Sequence, residues 1–98
     1  MDYQVIWTDA AIADLHDIGA YIARDNPQAA ERVGRGLLGH VRILASFPFI
    51  GPTYPRGARG KLREIVYRSY RIFYDADEEN QRVEILHVWH GARGEPEF

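Results

Sequence analysis

An α+β fold is predicted for this chain: a helical hairpin packed on one face of an antiparallel sheet, in the order β-α-α-β-β-β. Three observations carry that prediction. Residues 11–44 repeat apolar side chains at helical spacing. Residues 61–75 and 82–89 are rich in β-branched and aromatic side chains. Between these regions, residues 47–60 hold three prolines and three glycines, which forbid a continuing helix.

The elements follow in order. Residues 3–7 (Tyr-Gln-Val-Ile-Trp) alternate weakly and favour a first strand. Thr8 or Asp9 then caps a helix whose stripe is Ala11, Leu15, Ile18 and Ile22; Asp14, Asp17 and Arg24 are free to face water. Asp25-Asn26-Pro27 breaks the chain, with Asn26 a good cap and Pro27 suited to the first helical position. The second helix is expected to run to about Ser46, with Ala30, Val33, Leu37, Val41 and Leu44 as its apolar stripe. Gly34, Gly36 and Gly39 each cost roughly 1 kcal/mol against alanine inside a helix, which close packing on the first helix would offset. Strands are expected at about 61–67, 70–75 and 82–89, joined by Arg68-Ser69 and by the acidic turn 77–80. Strict alternation puts Val83, Ile85, His87 and Trp89 on one face of the last strand and Glu84, Leu86, Val88 and His90 on the other. Both faces are then apolar. Either part of the sheet is bare for a partner, or loop 47–60 folds over it with Phe47, Phe49 and Ile50.

At 98 residues, a single domain over 1–98 is expected. Hydrophobic residues make up 46% and charged residues 27%, an ordinary globular balance. No cysteine is present, which excludes disulfides and thiolate metal sites. No basic start precedes an apolar run, and no apolar stretch reaches the roughly 18 residues a membrane span needs, so a cytoplasmic protein without membrane contact is expected. The net charge of -2 is unevenly spread. Residues 51–74 carry six bases against Glu64, a net +5, and residues 75–98 carry seven acids against two bases, a net -5. Such a pattern fits a local patch for an anionic partner, or strands whose charges pair internally.

Candidate chemistry is sparse. His87 and His90 stand three apart on a strand, and odd spacing separates them across the sheet. No metal and no cofactor are expected. Neither a P-loop nor a nucleophile elbow is present. Metal-free ribonucleolysis would need a base, an acid and cations for the phosphorane charge. Glu64 or His90 could act as base, with Arg63, Arg71 and Arg93 on the phosphate. The competing reading pairs Arg71 and Arg63 with Glu84 and the acidic turn, and uses His90 to cap the strand end.

The element order, the Asp14-Leu15 helix, Arg63-Glu64, Tyr70-Arg71-Ile72-Phe73-Tyr74 and the final His90-Gly91-Ala92-Arg93 together resemble the RelE/ParE superfamily of bacterial type II toxins. The resemblance spans nearly the whole chain. It implies a toxin neutralised by a cognate antitoxin, of the ribbon-helix-helix, ParD-like kind, whose C-terminal segment wraps the helices and sheet. RelE-like members cut mRNA in the ribosome with clustered basic residues and commonly a late tyrosine; ParE-like members lack that set and inhibit DNA gyrase. Arg71 matches the shared arginine of the Tyr-Arg strand. Lys61 is the only lysine, the last aromatic is Phe98, and the charge of -2 suits ribosomal RNA poorly. The resemblance therefore implies the ParE-like branch, with DNA gyrase as target and no direct nucleic-acid binding by the toxin alone. No catalytic residue is carried over. Arg63, Glu64, Arg71, His90 and Arg93 are the candidate contacts with a target or partner, and a ribosome-dependent endoribonuclease is the alternative.

Overall fold

In the computed structural model, residues 2–55 and 62–96 are described. Strand β1 (Gln4–Trp7) leads into α1 (Asp9–Ala23), α2 (Pro27–Val41) and the single turn α3 (Ile43–Ser46). Strands β2 (Arg63–Tyr67), β3 (Tyr70–Asp77) and β4 (Arg82–His90) follow, then a 3-10 turn over Gly91–Arg93. The predicted order and the helical hairpin on the sheet are both present. The second helix divides: α2 stops at Val41 and α3 restarts after Arg42.

Local chemistry sets the helix starts. The Thr8 hydroxyl oxygen accepts the Ala11 N–H at 3.2 Å and its O–H donates to the Ile85 carbonyl at 2.7 Å. One side chain thus starts α1 and ties it to β4. Asn26 Oδ1 accepts the Ala29 N–H at 3.0 Å, with Pro27 opening α2 as expected. The apolar stripes meet the sheet: Ala11, Leu37, Val41 and Leu44 are buried against Tyr70, Ile72 and Tyr74, and Leu15, Ile18, Ile22 and Val33 pack at their edge.

The sheet order is β1-β4-β3-β2. The pairs β2–β3 and β3–β4 are antiparallel, as predicted, whereas β1 runs parallel to β4, so the sheet is mixed. The long passage through the helices allows this, because parallel neighbours need a crossover of a dozen residues or more. Strict alternation fails in β4. A register shift between Phe73 and Tyr74 sets them opposite His87 and Ile85, leaving Leu86 as the extra residue. Val83, Ile85 and Val88 consequently share the helix-facing core, while Leu86 and Trp89 join a second cluster around Tyr54, Leu62 and Phe73 on the helix-free face. That second face is covered in part by loop 47–60, through Tyr54, and Val66 at its β2 side stays 56% exposed, so each of the two readings holds for part of it. Tyr54, Leu62 and Pro96 are buried there, whereas Phe47, Phe49 and Ile50 remain 43–58% exposed. Loop residues 56–61 lie outside the described residues.

The α2 glycines also differ from expectation. A Cβ on Gly34 or Gly39 would meet nothing within 4 Å, and one on Gly36 would collide with the Tyr67 hydroxyl of β2 at 1.8 Å. Close approach to β2, not to α1, is what Gly36 provides. Gly34→Ala and Gly39→Ala should each stabilise the protein by roughly 0.5–1 kcal/mol through helix propensity, while Gly36→Ala should destabilise it. Urea unfolding of the three variants checks both signs.

Candidate functional site

The five candidate residues divide between two places. Arg71 and Glu64 meet on the helix-free face, because Val66 opposes Arg71 and Glu64 opposes Phe73 across β2–β3. Glu64 accepts bonds from Arg71 Nε and, at 3.2 Å, from Nη2. Both side chains are only 18% exposed. The remaining Arg71 nitrogen, Nη1, reaches Glu95 Oε1 at 3.2 Å. The guanidinium carbon also lies 5.5 Å from the Tyr54 ring centre and 5.1 Å from that of Phe73. The Glu64 hydrogen bond, above all, holds the Arg71 pKa above its ordinary value, so the charge is permanent.

The expected partner of Arg71 was Glu84, and the structure corrects this. Arg71 lies opposite Trp89, whereas Glu84 lies opposite Asp75, further along β3. Arg63 is also placed differently. It opposes Tyr74 and donates through Nη1 to the carbonyls of Gly51 (2.7 Å) and Phe49 (3.3 Å), its guanidinium 5.1 Å from the Phe49 ring centre. It braces the loop before β2 and does not join Arg71.

His90 and Arg93 line a groove between α1 and the end of β4, with a volume of about 420 Å³. Strand β1 pairs with β4 only as far as Ile85, which leaves the later edge of β4 facing α1. Asp14 meets that edge: its Oδ2 accepts the Val88 N–H at 3.0 Å and lies 3.3 Å from His87 Nδ1. Asp14 was expected to face water. It stands four residues before Ile18, on the flank of the apolar stripe, a spacing that could have shown it. The groove is floored by Ile18, Tyr70 and Val88 and flanked by Asp17 and the 72% exposed Tyr21. Burial pushes the Tyr70 phenol pKa up, and the Tyr70 ring meets His90 edge-on at 5.2 Å. His90 Nδ1 accepts the Ala92 N–H at 3.1 Å, so it caps the strand end as one of the two readings had it. Arg93 lies 3.9 Å over the Trp89 ring.

Among the described residues, no group of three or more His, Cys, Asp or Glu gathers closely enough to hold a metal ion, and no helix is long and apolar enough to cross a membrane. The arrangement has the features of a docking surface: an apolar groove with mixed charge at its rim, backed by a neutralised arginine.

The family match and the sequence relatives, on a fold of this architecture, make the chain a toxin of the type II toxin-antitoxin class. Residues 5–94 match the family described as ParE toxin of type II toxin-antitoxin system, parDE, and the chain belongs to that family within the RelE/ParE superfamily. Toxin RelE2 of Caulobacter vibrioides is 39% identical over 92 residues, covering 92% of this chain and 97% of that protein. A chain of the chromosomal ParDE system of P. aeruginosa superposes with a TM-score of 0.74 at 19% identity, covering 90% of this chain and 95% of that one. A chain of the RelBE2 toxin-antitoxin complex of Mycobacterium tuberculosis gives 0.62 at 25% identity, with 92% and 99% covered.

Glu64 and Arg71 form a testable unit. Arg71→Met should destabilise the protein by about 2 kcal/mol, because it leaves a mostly buried carboxylate without its charged donor. Adding Glu64→Gln should restore part of that loss. A double-mutant cycle by urea unfolding measures the coupling; strict additivity would show that the pair is not a unit.

Proposed function

We propose that this toxin acts by docking onto DNA gyrase and inhibiting it, and that a ParD-like, ribbon-helix-helix antitoxin neutralises it. The observation that carries this reading is the state of Arg71. Its guanidinium is held by Glu64 and Glu95, so among the described residues this face offers no free cluster of cations for a scissile phosphate. His90 stands on the other face, occupied in capping the 3-10 turn, so it is not set beside Arg71 as a proton carrier. The match to the ParE toxin family and the net charge of -2 support the same branch. The α1–β4 groove suits a protein segment, with Tyr21 and Arg93 as exposed anchors of the kinds enriched in binding hot spots.

The test is a supercoiling assay with purified toxin. Micromolar toxin should inhibit gyrase, and unaffected gyrase would count against the reading. Arg93→Ala should weaken inhibition by about tenfold, the effect of losing one hot-spot side chain, with an unchanged melting temperature. Full inhibition by that variant would remove Arg93 from the contact.

The 39% identity to a relative named RelE2 favours one other reading, ribosome-dependent cleavage of mRNA. Arg71 would then have to exchange Glu95 for a phosphate. Primer extension on translated mRNA during expression would show discrete cuts under that reading and none under the first.

A further inference from the structure

The chain after β4 turns back onto the helix-free face and is held there at several points. Gly94 adopts φ +80, a left-handed conformation that suits glycine and reverses the path. The Trp89 indole N–H donates to the Gly94 carbonyl at 2.9 Å. The Glu95 carboxylate receives Arg71 Nη1 at 3.2 Å and the Tyr54 hydroxyl at 2.8 Å, and the Pro96 carbonyl lies 3.4 Å from the same hydroxyl.

We propose that Arg71 Nη1 and the Tyr54 hydroxyl form a carboxylate-binding clamp, that Glu95 is its built-in occupant, and that an acidic peptide segment of a protein partner is the external ligand that displaces it. Three features support the clamp. Glu64 takes Nε and Nη2 and so fixes the guanidinium, with Nη1 left for a second acceptor. The Tyr54 and Phe73 rings, edge to face at 5.0 Å, hold its surroundings. Burial is also uneven: the Glu64 side chain is 18% exposed, whereas the Glu95 side chain is 50% exposed and within reach of an outside ligand. The lower carboxylate is part of the scaffold and the upper one is exchangeable. A carboxylate suits the position better than a polyphosphate, because Glu64 already neutralises the arginine and would repel a second negative charge on the same group. Displacement of Glu95 would release both Arg71 Nη1 and the Tyr54 hydroxyl to the incoming carboxylate. The clamp does not depend on which cellular target the toxin has.

Because Glu95 is tethered, it competes at a high effective concentration, and removing its charge should expose the clamp to an outside ligand. The probe is an acetylated peptide Gly-Glu-Pro-Glu-Phe, a copy of residues 94–98, titrated into the full-length protein. Binding is read by NMR at the Arg71 Nε–H and the Trp89 indole N–H. Glu95→Gln should bind the peptide about tenfold or more tighter than the unaltered protein, as release from an intramolecular competitor predicts. Adding Tyr54→Phe should remove most of that gain, and the peptide with glutamine at its second position should bind poorly. Equal binding to the native and Glu95→Gln proteins would overturn the proposal, as would equal binding of the glutamine peptide. Inorganic phosphate binding Glu95→Gln more tightly than the peptide would overturn the assignment to an acidic peptide.

Discussion

The central constraint on this fold is that β4 must bury side chains on both faces while pairing with two strands. It lies between β1 and β3, so its backbone is committed on both sides up to Ile85. The extra residue at Leu86 resolves the conflict. Without it, Val88 would share a face with Leu86, outside the helix-facing core that Val83 and Ile85 enter. With it, Val83, Ile85 and Val88 all reach the helices, while Leu86 and Trp89 reach the other side. A one-residue shift exchanges every later side chain between faces. Placing His90 in the groove and Trp89 under the tail both follow from that shift.

Much of the scaffold was legible in the sequence because its signals are local. Thr8, Asn26 and Pro27 act within one turn of their own helices, and the stripes from Ala11 to Ile22 and from Val33 to Leu44 report a period that only a helix uses. The bulge was not legible, since alternation gives no sign of where a strand takes an extra residue. The parallel β1–β4 pairing joins residues roughly eighty positions apart and leaves no local mark. At the site, Glu64 was near enough to be considered beside Arg71, but Glu95 and Tyr54 reach that arginine only through the path of loops. The sequence-based choice of Glu84 failed for the same reason: composition supplies acids in abundance and says nothing about which one the tail delivers.

At Arg71 and Arg63 the charge pattern has a different meaning once their partners are known, while Arg56, Arg59 and Lys61 lie outside the described residues. The positive run over residues 51–74 suggested a cationic sheet. Arg71 is instead enclosed by two carboxylates and two rings, and Arg63 is spent on backbone carbonyls. A guanidinium in that state stabilises a conformation and offers little long-range attraction, because its field is cancelled within a few ångströms. Attraction of a polyanion to Arg71 would require those carboxylates to leave first, whereas a protein surface can use the apolar groove as it stands.

The groove and the clamp are not independent surfaces. The 3-10 turn Gly91–Arg93 separates them, and its three residues are fixed from both sides. His90 caps the turn from the groove side while its ring rests on Tyr70. Trp89 holds the far end through the Gly94 carbonyl and carries Arg93 on its ring. Arg93 lines the groove while stacked on Trp89, so a partner that contacts it there meets the residue next to the anchor of the tail that bears Glu95. A segment that displaces Glu95 acts on the same turn from the opposite side. Both surfaces therefore share one short turn, and a contact made at either is made against residues that position the other.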